Sequence, residues 1–210
     1  MIKILIADDH VLIREGFKRL IDSEIGMSVI GEATNGFEAL DFVRNNDCDI
    51  AVLDISMPGK NGLELIKELK KFKPGLKTLI LTMHPEDRFA IRALKAGASG
   101  YLTKLSAPKA LISAIHKIAG GGRYVSESLV EKLVQNIDQS SRDAEHEALS
   151  DREFEVFCLI AAGKSIAEIA GELNLSQSTV NTYRTRIMDK MNLRTNAEII
   201  HYALRNNILD

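Results

Sequence analysis

Apolar residues fall into two rhythms along this chain. Up to Gly122, short unbroken apolar runs alternate with longer segments whose apolar positions recur at three and four. The runs Ile2–Ala7, Ser28–Glu32, Ile50–Asp54, Leu76–Thr82 and Gly100–Thr103 predict strands. The segments between them, Leu12–Asp22, Gly36–Asn45, Gly62–Phe72, Asp87–Ala96 and Pro108–Ala119, predict helices, as in the spacing of Leu12, Phe17, Leu20 and Ile21. Strands that alternate with helices give a parallel sheet with right-handed crossovers. Gly120-Gly121-Gly122 ends the fifth helix.

No strand pattern returns after Tyr124. Residues 126–137 carry Leu129, Val130, Leu133, Val134 and Ile137 at helical spacing and predict a short helix. Residues 138–147 read DQSSRDAEHE, nearly without apolar positions, and predict a solvated linker. From Leu149 onward the pattern is helical with sharp stops. Ser150 with Glu153 and Thr195 with Glu198 read as capping boxes, Gly163 as a helix end and Ser176 as the cap of the longest helix. Four helices in so short a stretch make a small bundle able to carry a helix-turn-helix. The expected organisation is residues 1–122 as an α/β unit with a doubly wound five-stranded parallel sheet, residues 123–147 as a linker, and residues 148–210 as a small all-α domain.

Bulk properties narrow the picture little. The chain has 210 residues, 45% apolar, with a net charge of −2, so charge alone names no partner. No apolar run approaches the roughly 20 residues of a membrane span, and the start, Met-Ile-Lys-Ile-Leu-Ile-Ala-Asp-Asp, turns acidic too soon for a signal peptide. Cys48 and Cys158 stand in separate apolar settings and read as free buried thiols of a reducing compartment. A cytoplasmic location is expected.

The chemistry lies at the strand ends. Asp8, Asp9, Asp54, Thr82 and Lys104 each stand at or just beyond the end of an apolar run, and in an open parallel sheet ligands bind along that edge. Three carboxylates there should repel one another and take a hard divalent cation such as Mg²⁺, leaving the ammonium for an anionic oxygen. That is the chemistry of a phosphoryl group on a carboxylate. Taken singly, Asp9 could cap the following helix, Thr82 could be an ordinary strand residue and Lys104 a solvated charge. Together, in this order, they are more specific, and Asp54-Ile-Ser-Met-Pro-Gly-Lys-Asn-Gly62 adds a turn that a lone exposed carboxylate would not need.

Asp8-Asp9, Asp54-x-x-Met57-Pro58, Thr82 and Lys104 resemble the receiver domain of two-component response regulators, a flavodoxin-like fold, over roughly residues 1–120. The resemblance implies that Asp54 accepts a phosphoryl group from a sensor histidine kinase, that Asp8, Asp9 and Asp54 hold Mg²⁺, that Lys104 contacts phosphoryl oxygens, and that Thr82 and Tyr101 form a switch pair. Leu105 follows Lys104 where many receivers have proline, so no cis peptide is expected there.

The stretch Gly163–Met191 predicts two helices and a tight turn. Ile166, Ile169, Ala170 and Leu173 form the buried stripe of the first, and Val180, Ile187 and Met191 that of the second. Ser178, Thr182, Thr185 and Asp189 fall on the opposite face, flanked by Asn181 and Arg186, with Arg184 and Lys190 nearer the stripe. From Ser176 to Arg194, Arg184, Arg186, Lys190 and Arg194 stand against Asp189 alone, a local charge of 4 − 1 = +3 on an otherwise acidic domain. A solvated helix face is the plain alternative; a basic edge on an acidic domain suits directed contact with phosphates. The expected division is base readout by Asn181, Thr182 and Thr185, and phosphate contact by Ser178, Arg184, Arg186 and Lys190.

Leu149-Ser150-x-Arg152-Glu153-x-Glu155-Val156, Glu168-Ile169-Ala170-x-x-Leu173, Ser176-x-x-Thr179-Val180 and Lys190-Met191 resemble the LuxR-type helix-turn-helix. The whole chain is then similar to the NarL/FixJ class of response regulators. That implies a phosphorylation-switched transcription factor that binds double-stranded DNA as a homodimer. The resemblance implies no turnover of an external substrate, only acceptance and slow loss of the chain's own aspartyl phosphate. The polar linker over 138–147, the weakly basic recognition face and the apolar Ile199, Ile200, Ala203 and Leu204 of a last helix over Asn196–Asn206 predict that the DNA-binding half is partly masked until phosphorylation releases it, and that two copies pair through that helix on inverted half-sites; the alternative is that these apolar residues only complete the bundle core. A regulator indifferent to phosphate, and a phosphohydrolase with an aspartyl nucleophile, are the competing readings; the intact acidic set opposes the first and the lack of a second acid or base opposes the other. Tyr183 stands where many relatives have His, and Thr182 and Thr185 where long or basic residues are frequent, so no base preference carries over.

Overall fold

The computed structural model describes residues 1–127, 129–131, 145–206 and 208. The chain divides into two compact units, Met1–Val134 and Gln135–Asp210. The first holds strands β1 (Ile2–Ala7), β2 (Met27–Ala33), β3 (Ile50–Leu53), β4 (Lys77–Thr82) and β5 (Gly100–Thr103) in one parallel sheet ordered β2-β1-β3-β4-β5. Helices α1 (Val11–Asp22), α2 (Gly36–Asn45), α3 (Gly62–Phe72), α4 (Glu86–Ala96) and α5 (Ala107–Ala119) connect them and close the unit.

Burial on both faces explains why the strands read as unbroken apolar runs. Ile4, Ile6, Ile50, Val52, Leu79 and Leu81 pack with Ile21 of α1 and with Leu111, Ala114, Ile115 and Ile118 of α5. Alternate residues point to the other face, and there Leu5, Ala51, Leu53 and Ile80 are equally buried. Beyond α5 the chain returns along β5. Tyr101 N–H donates to the Tyr124 carbonyl at 3.0 Å, and Tyr124 N–H donates to the Ser99 carbonyl at 3.0 Å. The expected helix over 126–137 and linker over 138–147 fall largely outside the described residues; residues 129–131 are helical.

The second unit has α6 (Asp151–Ala161), α7 (Ile166–Glu172), α8 (Gln177–Met191) and α9 (Asn196–Arg205), preceded by a 3-10 turn over Glu145–Ala148. Ile169, Ala170, Leu173, Val180, Ile187 and Met191 are buried as their spacing predicts, with Ile166 half-buried. Ser150 and Glu153 form a full capping box, and so do Ser165 and Glu168, a pair the sequence reading passed over. The box expected at Thr195 is only half formed. The Thr195 hydroxyl accepts from Glu198 N–H at 3.2 Å, but the Glu198 carboxylate takes the Arg194 N–H at 2.7 Å instead of that of Thr195. Cys48 and Cys158 are free and buried. Among the described residues, no helix is long and apolar enough to cross a membrane.

Candidate functional site

Strand register assembles the site. Ala7 pairs with Leu53, Leu53 with Ile80, and Thr82 with Thr103, so the ends of β1, β3, β4 and β5 lie along one edge. Asp54 N–H then donates to the Ala7 carbonyl at 2.9 Å, and Lys104 N–H to the Thr82 carbonyl at 2.8 Å. The side chains converge accordingly. Lys104 Nζ lies 2.5 Å from Asp54 Oδ2 and 2.6 Å from Asp8 Oδ2. Asp8, Asp54, Thr82 and Lys104 are all at most 6% exposed, so these charges interact with little screening by water.

Burial raises the Asp54 carboxyl above its ordinary range; the Lys104 ammonium opposes the rise and the Asp8 carboxylate adds to it. Burial pulls the Lys104 ammonium down, but Asp54 and Asp8 more than reverse that and it is raised. The Thr82 hydroxyl adds a smaller lowering effect on the Asp54 carboxyl, and Asp54 Oδ1 accepts from Ile55 N–H at 2.6 Å. Oxygens of Asp8, Asp9 and Asp54, with a nitrogen of His10, lie within 4.8 Å of one another. Such an oxygen-rich group suits a hard divalent cation. Asp9 does not cap α1; His10 holds that position, without a side-chain cap bond, and its Nδ1 lies 2.8 Å from Asp9 Oδ1.

The loop after β3 is shaped by close approach. A Cβ at Gly62 would sit 2.2 Å from the Asp54 carbonyl oxygen, and Gly59 has φ +76°. Asn61, wholly buried, caps α3 by accepting from Glu64 N–H at 3.0 Å. Across the mouth of the site Ser56 Oγ and His84 Nε2 are 2.7 Å apart. Tyr101 is 1% exposed, its ring turned inward, and burial lifts its phenol well above the usual value.

The described face of α8 carries Ser178, Asn181, Thr182, Thr185, Arg186, Asp189 and Lys190 exposed, with Tyr183 and Arg184 half-buried. Several are engaged within the unit. The Thr182 and Thr185 hydroxyls donate to the carbonyls of Ser178 and Asn181 at 3.0 and 3.1 Å. Arg184 Nε donates to Asn196 Oδ1 at 2.6 Å, and Lys190 Nζ lies 2.7 Å from Glu153 Oε2. The last contact joins residues 37 apart and could not be seen in the sequence. Arg14 was also missed: it is 8% exposed on α1, yet the amphipathic pattern marks only its apolar neighbours.

Comparison with known proteins agrees with this geometry. Residues 4–116 match the model of the response regulator receiver domain, and residues 147–203 that of bacterial regulatory proteins of the luxR family. The response regulator UvrY of Escherichia coli is 35% identical over 209 residues, covering 99% of this chain and 96% of UvrY. The response regulator GacA of Pseudomonas aeruginosa is 34% identical over 211 residues, covering 100% and 99%. RcsB from Salmonella enterica serovar Typhimurium, solved bound to promoter rprA in the presence of phosphomimetic BeF3⁻, is 26% identical with a TM-score of 0.63, covering 96% of this chain and 97% of that one.

Proposed function

The chain belongs to the two-component response regulators of the NarL/FixJ class, phosphorylation-dependent transcription regulators with a receiver and a LuxR-type DNA-binding domain, and on that premise we propose how its residues divide the work. Asp54 accepts the phosphoryl group from a cognate sensor histidine kinase. One Asp54 oxygen bonds to phosphorus as the bond to the kinase imidazole breaks and its electron pair stays on that nitrogen. The observation that carries this is the Lys104 ammonium, 2.5 Å from Asp54 and 2.6 Å from Asp8 in a buried setting. It is a cation fixed where new anionic oxygen would arise, which stabilises charge without reorganisation.

Asp8, Asp9 and Asp54 would hold Mg²⁺, and their oxygen donors fit it. When bound, the ion supplies positive charge against phosphoryl oxygens. Thr82 and Tyr101 form the switch. The Thr82 hydroxyl reports the phosphoryl group, and the inward Tyr101 ring is one of its two positions. The chain then slowly loses its own aspartyl phosphate and turns over no external substrate.

Residues 1–122 act as the receiver, 123–147 as linker and 148–210 as the output domain, in the cytoplasm. Phosphorylation releases the output domain from masking and favours a homodimer on inverted half-sites. Asn181, Thr182 and Thr185 read bases, while Ser178, Arg184, Arg186 and Lys190 contact phosphates. The test is acetyl phosphate with Mg²⁺, followed by intact mass. The wild-type chain should gain one phosphoryl group and Asp54→Asn none while staying folded; a gain at wild-type level in Asp54→Asn would overturn the assignment.

A further inference from the structure

The peptide that presents the two leading carboxylates is clamped from both sides. Asp8 N–H donates to the Ala33 carbonyl at 3.1 Å, and the Asp8 carbonyl accepts from Arg14 Nη1 at 2.7 Å. Arg14 is fixed in turn: its Nε donates to Glu32 Oε2 at 3.0 Å, near the end of β2. Its side chain is 10% exposed, so its guanidinium has been taken from water for these partners. Glu32 also pairs with Lys18. The Lys18 ammonium first, and then Arg14 against the opposing effect of burial, hold the Glu32 carboxyl below its ordinary range.

Burying a guanidinium is costly unless it is paired and hydrogen-bonded, and Arg14 meets that cost with Glu32 on one side and the Asp8 carbonyl on the other. Here one planar fork joins the β1–α1 turn to the edge strand. Without it, the Asp8 carbonyl loses its charged donor, and mutual repulsion would be free to swing the Asp8 and Asp9 carboxylates apart. We infer that Arg14 is a positioning residue for the cation: it preorganises Asp8 and Asp9 as ligands, and Glu32 cancels the charge with which Arg14 would otherwise repel the ion. This rests on the reading of Asp8, Asp9 and Asp54 as the Mg²⁺ set. Neighbours that orient ligands typically govern metal affinity by about 10–100-fold.

The test uses the full unphosphorylated chain. Mg²⁺ binding is followed by calorimetry and Mn²⁺ binding by electron paramagnetic resonance, with a thermal midpoint for each variant. Arg14→Met should weaken cation binding about tenfold or more. Arg14→Lys, which can reach one partner but not both, should fall between it and wild type. Glu32→Gln should weaken binding too, whereas Lys18→Met should not. Raising Mg²⁺ should restore phosphorylation of Arg14→Met from acetyl phosphate. If Arg14→Met does not fold, Arg14→Lys and Glu32→Gln decide. A lowered thermal midpoint with wild-type cation affinity would make Arg14 merely structural and overturn the inference, as would equal losses in Lys18→Met. Failure of Asp54 as acceptor looks different: the wild type would bind the cation yet gain no phosphoryl group.

Discussion

The Tyr101 phenol donates to the His84 main-chain carbonyl at 3.0 Å, which ties the inward ring to the segment two residues beyond Thr82. The same segment returns to Thr82, whose Oγ1 accepts from His84 N–H at 3.4 Å, and the Thr82 hydroxyl acts on the Asp54 carboxyl. A disturbance at Thr82 therefore has a short bonded path to the ring.

Thr82→Ala should still be phosphorylated at Asp54, since it removes no ligand of the acidic set. Its DNA affinity should no longer respond to acetyl phosphate. Tyr101→Phe keeps the ring and loses the phenol's hydrogen bond, shared between the His84 carbonyl at 3.0 Å and the Pro85 carbonyl at 3.4 Å, which costs about 1 kcal/mol, and should leave a partial response. Binding to one duplex, with and without acetyl phosphate, checks both; a full response of Thr82→Ala would remove it from the relay.

Much of this arrangement was legible because strand ends are punctuated by the residues that do chemistry. β1, β5, α2 and α3 have the bounds their patterns predict; the other elements of the first unit differ by a residue at one end, except β2, which is a residue longer at both. Pattern reading fails where a polar side chain works at a distance. Arg14 sits one residue from the apolar stripe of α1, and nothing in the spacing says that it turns under Asp8. Glu198 offers a capping signature, but its carboxylate reaches one residue further back, to Arg194 N–H. Lys190 reads as a phosphate-contacting cation near the edge of the buried stripe; it is exposed, but its ammonium is held against the start of α6 by Glu153.

That pairing gives Lys190 a second duty and a pH signature. Burial pushes the Glu153 carboxyl up, while the Lys190 ammonium and Ser150 more than reverse this, so it stands below its usual range. A carboxyl depressed in the folded state stabilises above its unfolded pKa, and the gain is lost as pH falls through the folded value. Thermal stability of the output unit should thus fall as pH drops below about 4.3, the ordinary glutamate value. Lys190→Ala should flatten that fall. At neutral pH it should cost about 0.5–1 kcal/mol, because the ammonium end is partly exposed and screened. Thermal scans across pH read both, and an unchanged acid limb would rule the pair out as a stabiliser.

Substitutions at Arg186 and Asn181 test the proposed division between the two kinds of DNA contact. Both are exposed on α8. Arg186→Ala should weaken binding to specific and random duplexes alike and lower the salt slope by roughly one unit. Asn181→Ala should cost about 1–3 kcal/mol on the preferred site and relax specificity there. Salt titrations on both duplexes decide it. A changed sequence preference with an unchanged slope in Arg186→Ala would reverse the assignment.

The last helix is the proposed place for two copies to meet. Its four apolar positions divide: Ile199 and Ala203 are fully buried in their own bundle, Ile200 is half-buried, and Leu204 is 52% exposed. The surface left for a partner is therefore small, and pairing through α9 alone should be weak. Weak pairing suits a regulator whose dimer forms on DNA, because two half-sites about one turn apart hold both copies in place. Leu204→Asp would put a charge at the self-complementary contact of a two-fold dimer, where each copy meets the other's identical residue. It should leave affinity for a duplex with one half-site nearly unchanged. On inverted half-sites the phosphorylated variant should lose about tenfold, near 1.4 kcal/mol. Footprints and titrations on the two duplexes measure this. Equal loss on both would place Leu204 in the fold of one copy, and full cooperativity on the inverted pair would move the dimer contact away from α9.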